Sequence, residues 1–495
     1  MKVQAIREEL AALAADAAII FFYEDGELFN EQKKMLTAAF PAADGLFLTE
    51  DFSGKKKSKS SIYTGSKSLP RIILAGLGKK SGETLGTIRS ATAAASAAAK
   101  QSNPETLAIF LPSPDGISTA DTAQAALEGA LLSGYKYDKY ITEKKDAKKK
   151  PLKKIFLVCE DKSDVKSAQK AADYAKNLCD GVILARDLAN APNNEIYPES
   201  LAERAAEAGK EAGFDVKILD KKKIQSLKMG GLLAVNAGSK RPPVFIIMEY
   251  KGGKSDEKPV VLVGKGVTFD TGGISIKPGA GMSAMKFDMH GSATVIGTMY
   301  SVAKNKLPIN VVGLVPATDN MPDGSAYVPG DIVTFMNGKT AEIDNTDAEG
   351  RLILADALSY ADRYKPQAVV DAATLTGACV VALGSITTGL MGNDDSLKSR
   401  LKKSAENTGE YVCELPLYEE YEDQIKSDYA DVKNSGGRAA GTITAALFLR
   451  KFIGDYPWAH LDIAGTGMLD APTELNPKGG SGVGVRLLSD MLKNW

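Results

Sequence analysis

Three charged residues, Asp347, Glu349 and Arg351, alternate along the stretch NTDAEGRL, which spans residues 345–352. In an extended segment, side chains at positions i, i+2 and i+4 leave the same face, so two carboxylates and a guanidinium would share one space. Neighbouring carboxylates repel one another and are costly to bury unless a positive group lies between them. The spacing alone leaves two interpretations open: an exposed polar cap before a helix, or a carboxylate site for a divalent metal.

The residues after this stretch predict a helix. From Leu352 to about Tyr364, apolar side chains recur at the spacing of an amphipathic helix. Gly350 would then lie at the helix N-terminus, where free backbone N–H groups favour an anion. The sequence therefore predicts an anion site beside the two carboxylates.

A second group of polar residues lies about seventy residues upstream. The apolar run at residues 260–263 leads into Lys265 and Asp270 on a glycine-rich segment, GKGVTFDTGG, and functional groups of α/β folds collect beyond the carboxyl ends of strands. Lys277 and Asp288 follow shortly afterwards. The combined set is Lys265, Asp270, Lys277, Asp288, Asp347, Glu349 and Arg351.

The chemistry of this set points to metal ions. Four carboxylates match the charge of two divalent cations, which together can activate a water against a carbonyl or phosphoryl group. Oxygen-rich ligation suits Mn²⁺ or Mg²⁺ and also tolerates Zn²⁺. A lysine can join such a set only as the neutral amine, which burial beside a dication favours.

Histidine contributes little to this prediction, because the chain has only two, His290 and His460. Two histidines are too few for a histidine-rich zinc site, and they offer few candidates for a Ser-His-Asp triad. His290 follows Asp288 by two residues, a spacing that points the two side chains in different directions on a helix, so we expect it to pack or to lie behind the ligands. His460 precedes an apolar strand-like run and is predicted to be structural.

Length and composition describe an ordinary globular protein. A chain of 495 residues is too long for one typical core, so two domains are expected. A formal net charge of −1 gives no general attraction to nucleic acid or to an anionic membrane. Charged residues from Lys2 to Glu9 and Asp16 argue against a signal peptide or membrane span, which favours a cytoplasmic location. Four widely spaced cysteines without a CxxC pair predict buried thiols in a reducing compartment.

Apolar strands alternating with helices predict two α/β domains. We expect a smaller N-terminal α/β domain at residues 1–162 and a long linker helix at 163–188. A larger C-terminal α/β catalytic domain with a central mixed sheet would follow at 189–495.

Two lysine-rich stretches are predicted to be solvated, residues 50–61 as a hairpin or loop and residues 143–154 as a loop. The lysines at 55–59 and 143–154 are also the only support for an additional DNA-binding or scaffolding role, and the second stretch lacks the interleaved aromatic residues that base stacking needs. A salt-dependent gel shift that disappears when these lysines are neutralised would support that role.

The motifs together resemble those of the leucine (cytosol) aminopeptidase family. Beside NTDAEGRL, the similar blocks are GKGVTFDTGGISIKP (264–278), MKFDMHGSA (285–293), NMPDGSAYVPGDI (320–332), ATLTGA (373–378) and WAHLDIAGT (458–466). These blocks occur in the family's order, and the resemblance extends over essentially all of the chain after about Gly181. His290 departs from the pattern, because relatives carry a small residue there.

The resemblance implies a leucyl aminopeptidase, a hydrolase that acts on peptides with a free N-terminus and assembles as a homohexamer. One metal, Mn²⁺ or Zn²⁺, would take Lys265, Asp270, Asp288 and Glu349, and a second would take Asp270, Asp347 and Glu349. Lys277 and Arg351 match the catalytic residues, and bicarbonate would rest on Gly350, Arg351 and Leu352. Substrate contacts are implied at Lys277, Met285, Asp288, Thr374, Leu375 and Gly377.

The implied reaction is attack by a metal-activated water, with bicarbonate as the general base and Lys277 stabilising the oxyanion. The polar cluster alone would equally permit a two-metal phosphohydrolase, and only the family motifs argue against that alternative.

Overall fold

The protein is described by a computed structural model that covers residues 1–48, 52–143 and 150–495. The chain forms two compact units, the first of residues 1–179 with 472–477 and the second of residues 180–471 with 478–495. The boundary falls inside a long helix, α5 (Val165–Asn190), within the stretch predicted as a linker helix. Part of the first lysine-rich stretch and half of the second lie outside the described residues.

The first unit is built on one mixed sheet. Its strands are β1 (Lys2–Ile6), β2 (Ala17–Tyr23), β3 (Lys59–Tyr63), β4 (Arg71–Gly78), β5 (Thr106–Phe110) and β6 (Lys154–Val158). Its helices are α1 (Gly26–Ala39), α2 (Asp44–Leu48), α3 (Leu85–Ala99), α4 (Thr119–Leu132) and the first part of α5 (Val165–Asn190). The strand order is β1-β6-β5-β2-β4-β3, with β3 antiparallel to β4 and the other pairs parallel.

Strand β2 shows why this sheet is covered on both faces. All seven of its residues, AAIIFFY, are buried. Ile19 and Phe21 pack in one core with residues of α3 and α4, whereas Ile20 and Phe22 pack in another with Leu36 of α1. Because successive side chains of a strand point to opposite faces, a continuous apolar run is the pattern of a strand between two helical layers.

The second unit contains the larger sheet and two small ones. The strands of this unit are β7 (Asp215–Leu219), β8 (Val244–Lys251), β9 (Val260–Gly264), β10 (Gly266–Asp270), β11 (Asn310–Asn320), β12 (Ile332–Thr334), β13 (Thr340–Glu342), β14 (Ala368–Ala373), β15 (Thr388–Gly392), β16 (Val412–Glu414), β17 (Val432–Lys433), β18 (Trp458–Asp462), β19 (Met468–Leu469) and β20 (Gly479–Gly480). Its helices are α6 (Pro198–Ala212), α7 (Lys221–Ser226), α8 (Gly230–Asn236), α9 (His290–Lys304), α10 (Gly350–Ala361), α11 (Gly377–Leu383), α12 (Asp395–Thr408), α13 (Gly441–Arg450) and α14 (Val485–Lys493).

The main sheet has the order β16-β15-β18-β14-β9-β11-β8-β7, and β10 pairs with β11. Its central strands β18, β14, β9 and β11 run parallel, while β8, β7 and β15 introduce antiparallel pairs. Helix α10 packs on one face in the main apolar core, and α9 covers the face that carries Gly313. The predicted α/β architecture with a central mixed sheet is confirmed.

The four cysteines are free thiols. Cys159, Cys179 and Cys379 are buried as predicted, whereas Cys413 on β16 is half-buried.

A buried carboxylate, Asp356, fixes helix α10 to its neighbours. Its two oxygens accept backbone N–H groups from Leu232 in α8, at 3.0 Å, and from Met336, at 2.9 Å. The Asp356 side chain is 0% exposed, so its two oxygens depend on these backbone donors and not on water.

Asp356→Ala should therefore lower the free energy of unfolding by about 3 kcal/mol, because two buried donors lose their acceptor. Urea unfolding followed by circular dichroism measures this loss. Asp395→Ala, at a side chain that is 97% exposed, is the control and should leave the stability unchanged. An Asp356→Ala protein as stable as the control would contradict the prediction.

Candidate active site

The predicted site residues lie at one edge of the main sheet. Strands β9, β14 and β18 are parallel and end together, with Ala372 opposite Gly264 and Ala373 opposite Asp462. Lys265 directly follows β9 and Thr374 directly follows β14. Helix α10 begins at this edge with Gly350. The carboxyl ends of these strands therefore bring together residues that are far apart in sequence.

Lys265 is held inside this cluster. Its Nζ lies 2.8 Å from an oxygen of Asp288 and 2.8 Å from an oxygen of Glu349, and it donates to the carbonyl of Thr374 at 2.9 Å. The side chain is 3% exposed. A Cβ atom at Gly350 would lie only 2.6 Å from Cε of Lys265, so the glycine makes room for the lysine.

Lys277 occupies a similar position between two other carboxylates. Its Nζ lies 2.8 Å from Oδ2 of Asp270 and also contacts Oδ1 of Asp347. The Lys277 side chain is 21% exposed, so it is more accessible than Lys265. The loop before it is tight: Gly272 has a φ of +86°, and a Cβ atom there would lie 2.8 Å from the Asp347 carboxylate.

Three carboxylates form the centre of the site. Ligand oxygens of Asp270, Asp347 and Glu349 all lie within 4.8 Å of one another. Asp270 is oriented by Nδ2 of Asn320, at 2.8 Å, and by the backbone N–H of Gly272, at 2.9 Å. Convergence of three acidic groups in a largely buried space is the arrangement that a divalent cation stabilises.

The pKa values of these groups are shifted by burial and by the charges of their close neighbours. Burial and the charge of Glu349 raise the pKa of Asp270 to about 6, and burial also raises the pKa of Asp288 and of Asp347. Burial opposes the charged form of Lys265, but the carboxylates of Asp288 and Glu349 outweigh it and raise the lysine pKa. The pKa of Glu349 is held below its ordinary value, against burial, by the two lysines.

The residues present fit divalent metal ions. Four carboxylates, Asp270, Asp288, Asp347 and Glu349, face only two ammonium groups, so negative charge is in excess. Oδ2 of Asp288 is buried and has no hydrogen-bond partner among the described residues. The two ammonium groups neutralise part of this charge, and divalent cations held by the same carboxylates would neutralise the rest.

The stretch NTDAEGRL forms a turn followed by a helix start and not an extended segment. Residues 346–347 form a turn, and α10 begins at Gly350. Oδ1 of Asn345 accepts the backbone N–H of Asp347 at 2.8 Å, which stabilises the turn. The turn and the start of α10, and not the alternation of a strand, bring the carboxylates of Asp347 and Glu349 together.

Arg351 occupies a buried position of its own. Its Nη1 donates to the carbonyl of Asn434 at 2.7 Å, while its buried Nε has no hydrogen-bond partner in the described part of the chain. Burial lowers the pKa of this guanidinium to about 10. An unpartnered, buried N–H beside the first turn of α10 fits a small anion.

Of the residues implied for substrate binding, Thr374 contacts this cluster directly. Thr374 donates its hydroxyl to Oδ1 of Asp288 at 2.8 Å, and Leu375 donates its backbone N–H to Asp462 at 3.3 Å. Gly377 is exposed at the start of α11. Met285 is half-buried on a 3₁₀ segment, Met282–Met289, which also carries Asp288.

Several supporting residues were not predicted. Thr346 joins the two motifs: its hydroxyl donates to the carbonyl of Gly272 at 2.7 Å and accepts the N–H of Ser275 at 2.7 Å. Asn320 and Asp462 each end an apolar strand at the site edge, a sequence signal that could have found them. Asn434 carries no comparable signal.

The two histidines lie in the interior. His290 is 0% exposed, and neither ring nitrogen has a hydrogen-bond partner among the described residues; burial lowers its pKa to about 4. Nδ1 of His460 lies 2.6 Å from Asp371, whose other oxygen accepts the indole N–H of Trp458 at 2.8 Å. His460 is therefore part of the packed sheet, as predicted.

Comparison with known proteins identifies the family. Residues 183–489 match the cytosol aminopeptidase family, catalytic domain, and residues 19–144 match the N-terminal domain of the same family. A probable cytosol aminopeptidase from Syntrophotalea carbinolica is 43% identical over 484 residues, which cover 97% of each chain. The chain belongs to the cytosol aminopeptidase family.

Solved structures agree with this assignment. A tomato leucine aminopeptidase mutant superposes with a TM-score of 0.88 at 33% identity, covering 100% of this chain and 97% of its own. The bottromycin maturation enzyme BotP, in complex with Mn, gives 0.85 at 34% identity, covering 97% and 99%. The predicted family, its two-domain fold and an aminopeptidase type of hydrolase are thus confirmed for this cytosol aminopeptidase family member.

Proposed function

We propose that this chain removes N-terminal amino acids, with leucine and other apolar residues preferred, from peptides with a free N-terminus, using two divalent metal ions. The observation that carries the proposal is the convergence of Asp270, Asp347 and Glu349 within 4.8 Å, flanked by the ammonium groups of the buried Lys265 and the half-buried Lys277. The Mn-bound relative supports Mn²⁺ as one of the ions such a site accepts.

The ligands divide into two sets that share Asp270 and Glu349. One metal would be held by these two together with Lys265 and Asp288, and the other by the same two with Asp347. Divalent ions at such a site acidify a water and polarise a carbonyl oxygen. Lys265 would serve as a neutral amine, for which it must give up the proton that it now shares with Asp288 and Glu349.

The remaining polar groups would act on the peptide. Oδ2 of Asp288, which is free of hydrogen bonds within the described residues, would accept from the substrate's α-amine and so favour an unblocked N-terminus. Lys277, being partly exposed, would donate from Nζ to the oxyanion that develops on the scissile carbonyl. Met285, Thr374, Leu375 and Gly377 would line the pocket for the first side chain or bind the substrate backbone.

Arg351 would hold bicarbonate, with the backbone N–H groups of Gly350 and Leu352. Support comes from the unpartnered Nε of Arg351 and from its place in the first turn of α10. A bicarbonate bound there supplies a general base for the reaction.

Arg351→Ala should therefore lower kcat by about one to two orders of magnitude and remove any stimulation by added bicarbonate. The measurement is kcat on leucyl p-nitroanilide in carbonate-depleted buffer, with and without bicarbonate. Arg450→Ala provides the control, because that arginine pairs with Glu422 at the far end of α13. Bicarbonate stimulation retained in Arg351→Ala would contradict this role.

A substrate panel tests the proposed function. The Mn²⁺-loaded protein should hydrolyse leucyl p-nitroanilide, but neither its N-acetylated form nor p-nitrophenyl phosphate. Hydrolysis of the phosphate ester in place of the amide would favour the two-metal phosphohydrolase.

The choice between Mn²⁺ and Zn²⁺, the homohexamer and the cytoplasmic location stay predictions. Among the described residues, no helix is both long enough and apolar enough to span a membrane.

A further inference from the structure

Asn434 lies immediately after β17 and is 0% exposed. Strand β17 runs parallel to β13, with Val432 opposite Ala341 and Lys433 opposite Glu342. The pairing continues by one more bond, from the backbone N–H of Asn434 to the carbonyl of Glu342 at 2.9 Å. The strand thus delivers the Asn434 side chain to the segment that follows β13, which is the segment leading to Asp347.

The Asn434 side chain binds that segment through both of its polar atoms. Oδ1 accepts the backbone N–H groups of Asp344, at 2.7 Å, and Asn345, at 3.2 Å. Nδ2 donates to the carbonyl of Asn345 at 2.7 Å and faces that of Ala348 at 3.5 Å. These contacts lie on both sides of Asp347, so the side chain fixes the turn on which that carboxylate stands.

The backbone of the same residue binds Arg351. The carbonyl oxygen of Asn434 accepts from Nη1 of Arg351 at 2.7 Å. One buried residue therefore contacts both the turn that carries a carboxylate of the cluster and the guanidinium beside it. An amide suits this position, because the turn offers N–H donors at one point and carbonyl acceptors at another, and the amide accepts through its oxygen and donates through its nitrogen.

We infer that Asn434 is a positioning residue of the two-metal site, which sets the place of Asp347 relative to Asp270 and Glu349. This inference rests on the proposed function. Hydrogen-bond partners of metal ligands orient those ligands, and their loss typically weakens metal binding or activity by 10- to 100-fold.

The test compares Asn434→Ala and Asn434→Asp with a matched control, Asn310→Ala. Asn310 makes the same type of contact at the start of β11: its Oδ1 accepts the N–H of Gly253 at 3.1 Å, and its Nδ2 donates to the carbonyls of Lys254 and Glu257 at 2.7 and 2.9 Å. It lies at the opposite end of the parallel strands from the site. Asn434→Asp keeps the size of the side chain and its acceptor oxygen, so the inference can still be tested if the alanine variant does not fold.

Mn²⁺ affinity and stoichiometry would be measured by calorimetric titration of the metal-free full-length chain, together with kcat and KM on leucyl p-nitroanilide. Both Asn434 variants should bind one of the two Mn²⁺ ions about 10- to 100-fold more weakly, with kcat reduced by a similar factor and partly recovered at high Mn²⁺. Asn310→Ala should lose stability alone, with its Mn²⁺ affinity and kcat unchanged.

Two results would overturn the inference: Asn434 variants that bind two Mn²⁺ ions as tightly as the wild type, or an Asn310→Ala variant with the same loss of Mn²⁺ affinity. A wild-type chain that binds no Mn²⁺ would instead overturn the proposed function itself, so the two failures are distinguishable.

Discussion

Replacing Lys277 by alanine should reduce kcat on leucyl p-nitroanilide by about a hundredfold or more, with a smaller change in KM. The Nζ of Lys277 lies between Asp270 and Asp347, at the more exposed side of the cluster, where a substrate carbonyl can approach it. A donor placed at a developing oxyanion stabilises the transition state more than the ground state, so its removal lowers kcat above all.

The same substitution should change how stability depends on metal. Without Lys277, the carboxylates of Asp270 and Asp347 lose their shared counter-charge in the metal-free protein. We therefore expect a lower melting temperature without metal and a larger rise on addition of Mn²⁺ than in the wild type.

Lys398→Ala is the matched control for Lys277→Ala. Its ammonium group also contacts two carboxylates, Asp395 at 2.8 Å and Glu414 at 2.6 Å, and its side chain is 13% exposed. Loss of such a pair away from the site should leave kcat unchanged. Near-wild-type kcat in Lys277→Ala would show that this lysine does not stabilise the oxyanion.

The sequence predicted the elements that rely on local patterns. The apolar run at residues 260–263 forms a buried strand, and the apolar residues that follow Gly350 form the predicted helix, α10. Parallel strands place their carboxyl ends at one edge, so residues after β9 and before α10 could be expected to meet without knowledge of their contacts.

The sequence could not predict the geometry that depends on distant partners. The turn at Thr346 is held by Gly272 and Ser275, more than seventy residues away. Arg351 was expected to share the space of the two carboxylates, but its guanidinium binds the Asn434 carbonyl. Such contacts follow from the pairing of short strands such as β13 and β17, whose two or three residues carry no periodic signal.

Asp270 provides the second large effect, because both proposed metals share it. Asp270→Asn keeps the size of the side chain but removes the charge, and an amide oxygen binds a divalent cation more weakly than a carboxylate does. We expect kcat to fall by about a thousandfold or more, since metal ions contribute several kcal/mol of transition-state stabilisation.

Metal binding gives a readout that does not depend on activity. At a Mn²⁺ concentration of about 100 times Kd, binding to the folded state alone stabilises the wild type by roughly 2.7 kcal/mol, which thermal unfolding detects as a higher melting temperature. Asp270→Asn should lose most of this rise, while Asp323→Asn, on an exposed loop where the carboxylate accepts from Ser325, should keep all of it. Because the amide oxygen of the Asp270→Asn side chain can still accept from Asn320 and Gly272 as the aspartate does, the fold should persist. A full Mn²⁺-induced rise with wild-type kcat in Asp270→Asn would remove Asp270 from the metal site, and with it the shared ligand on which the two-metal proposal depends.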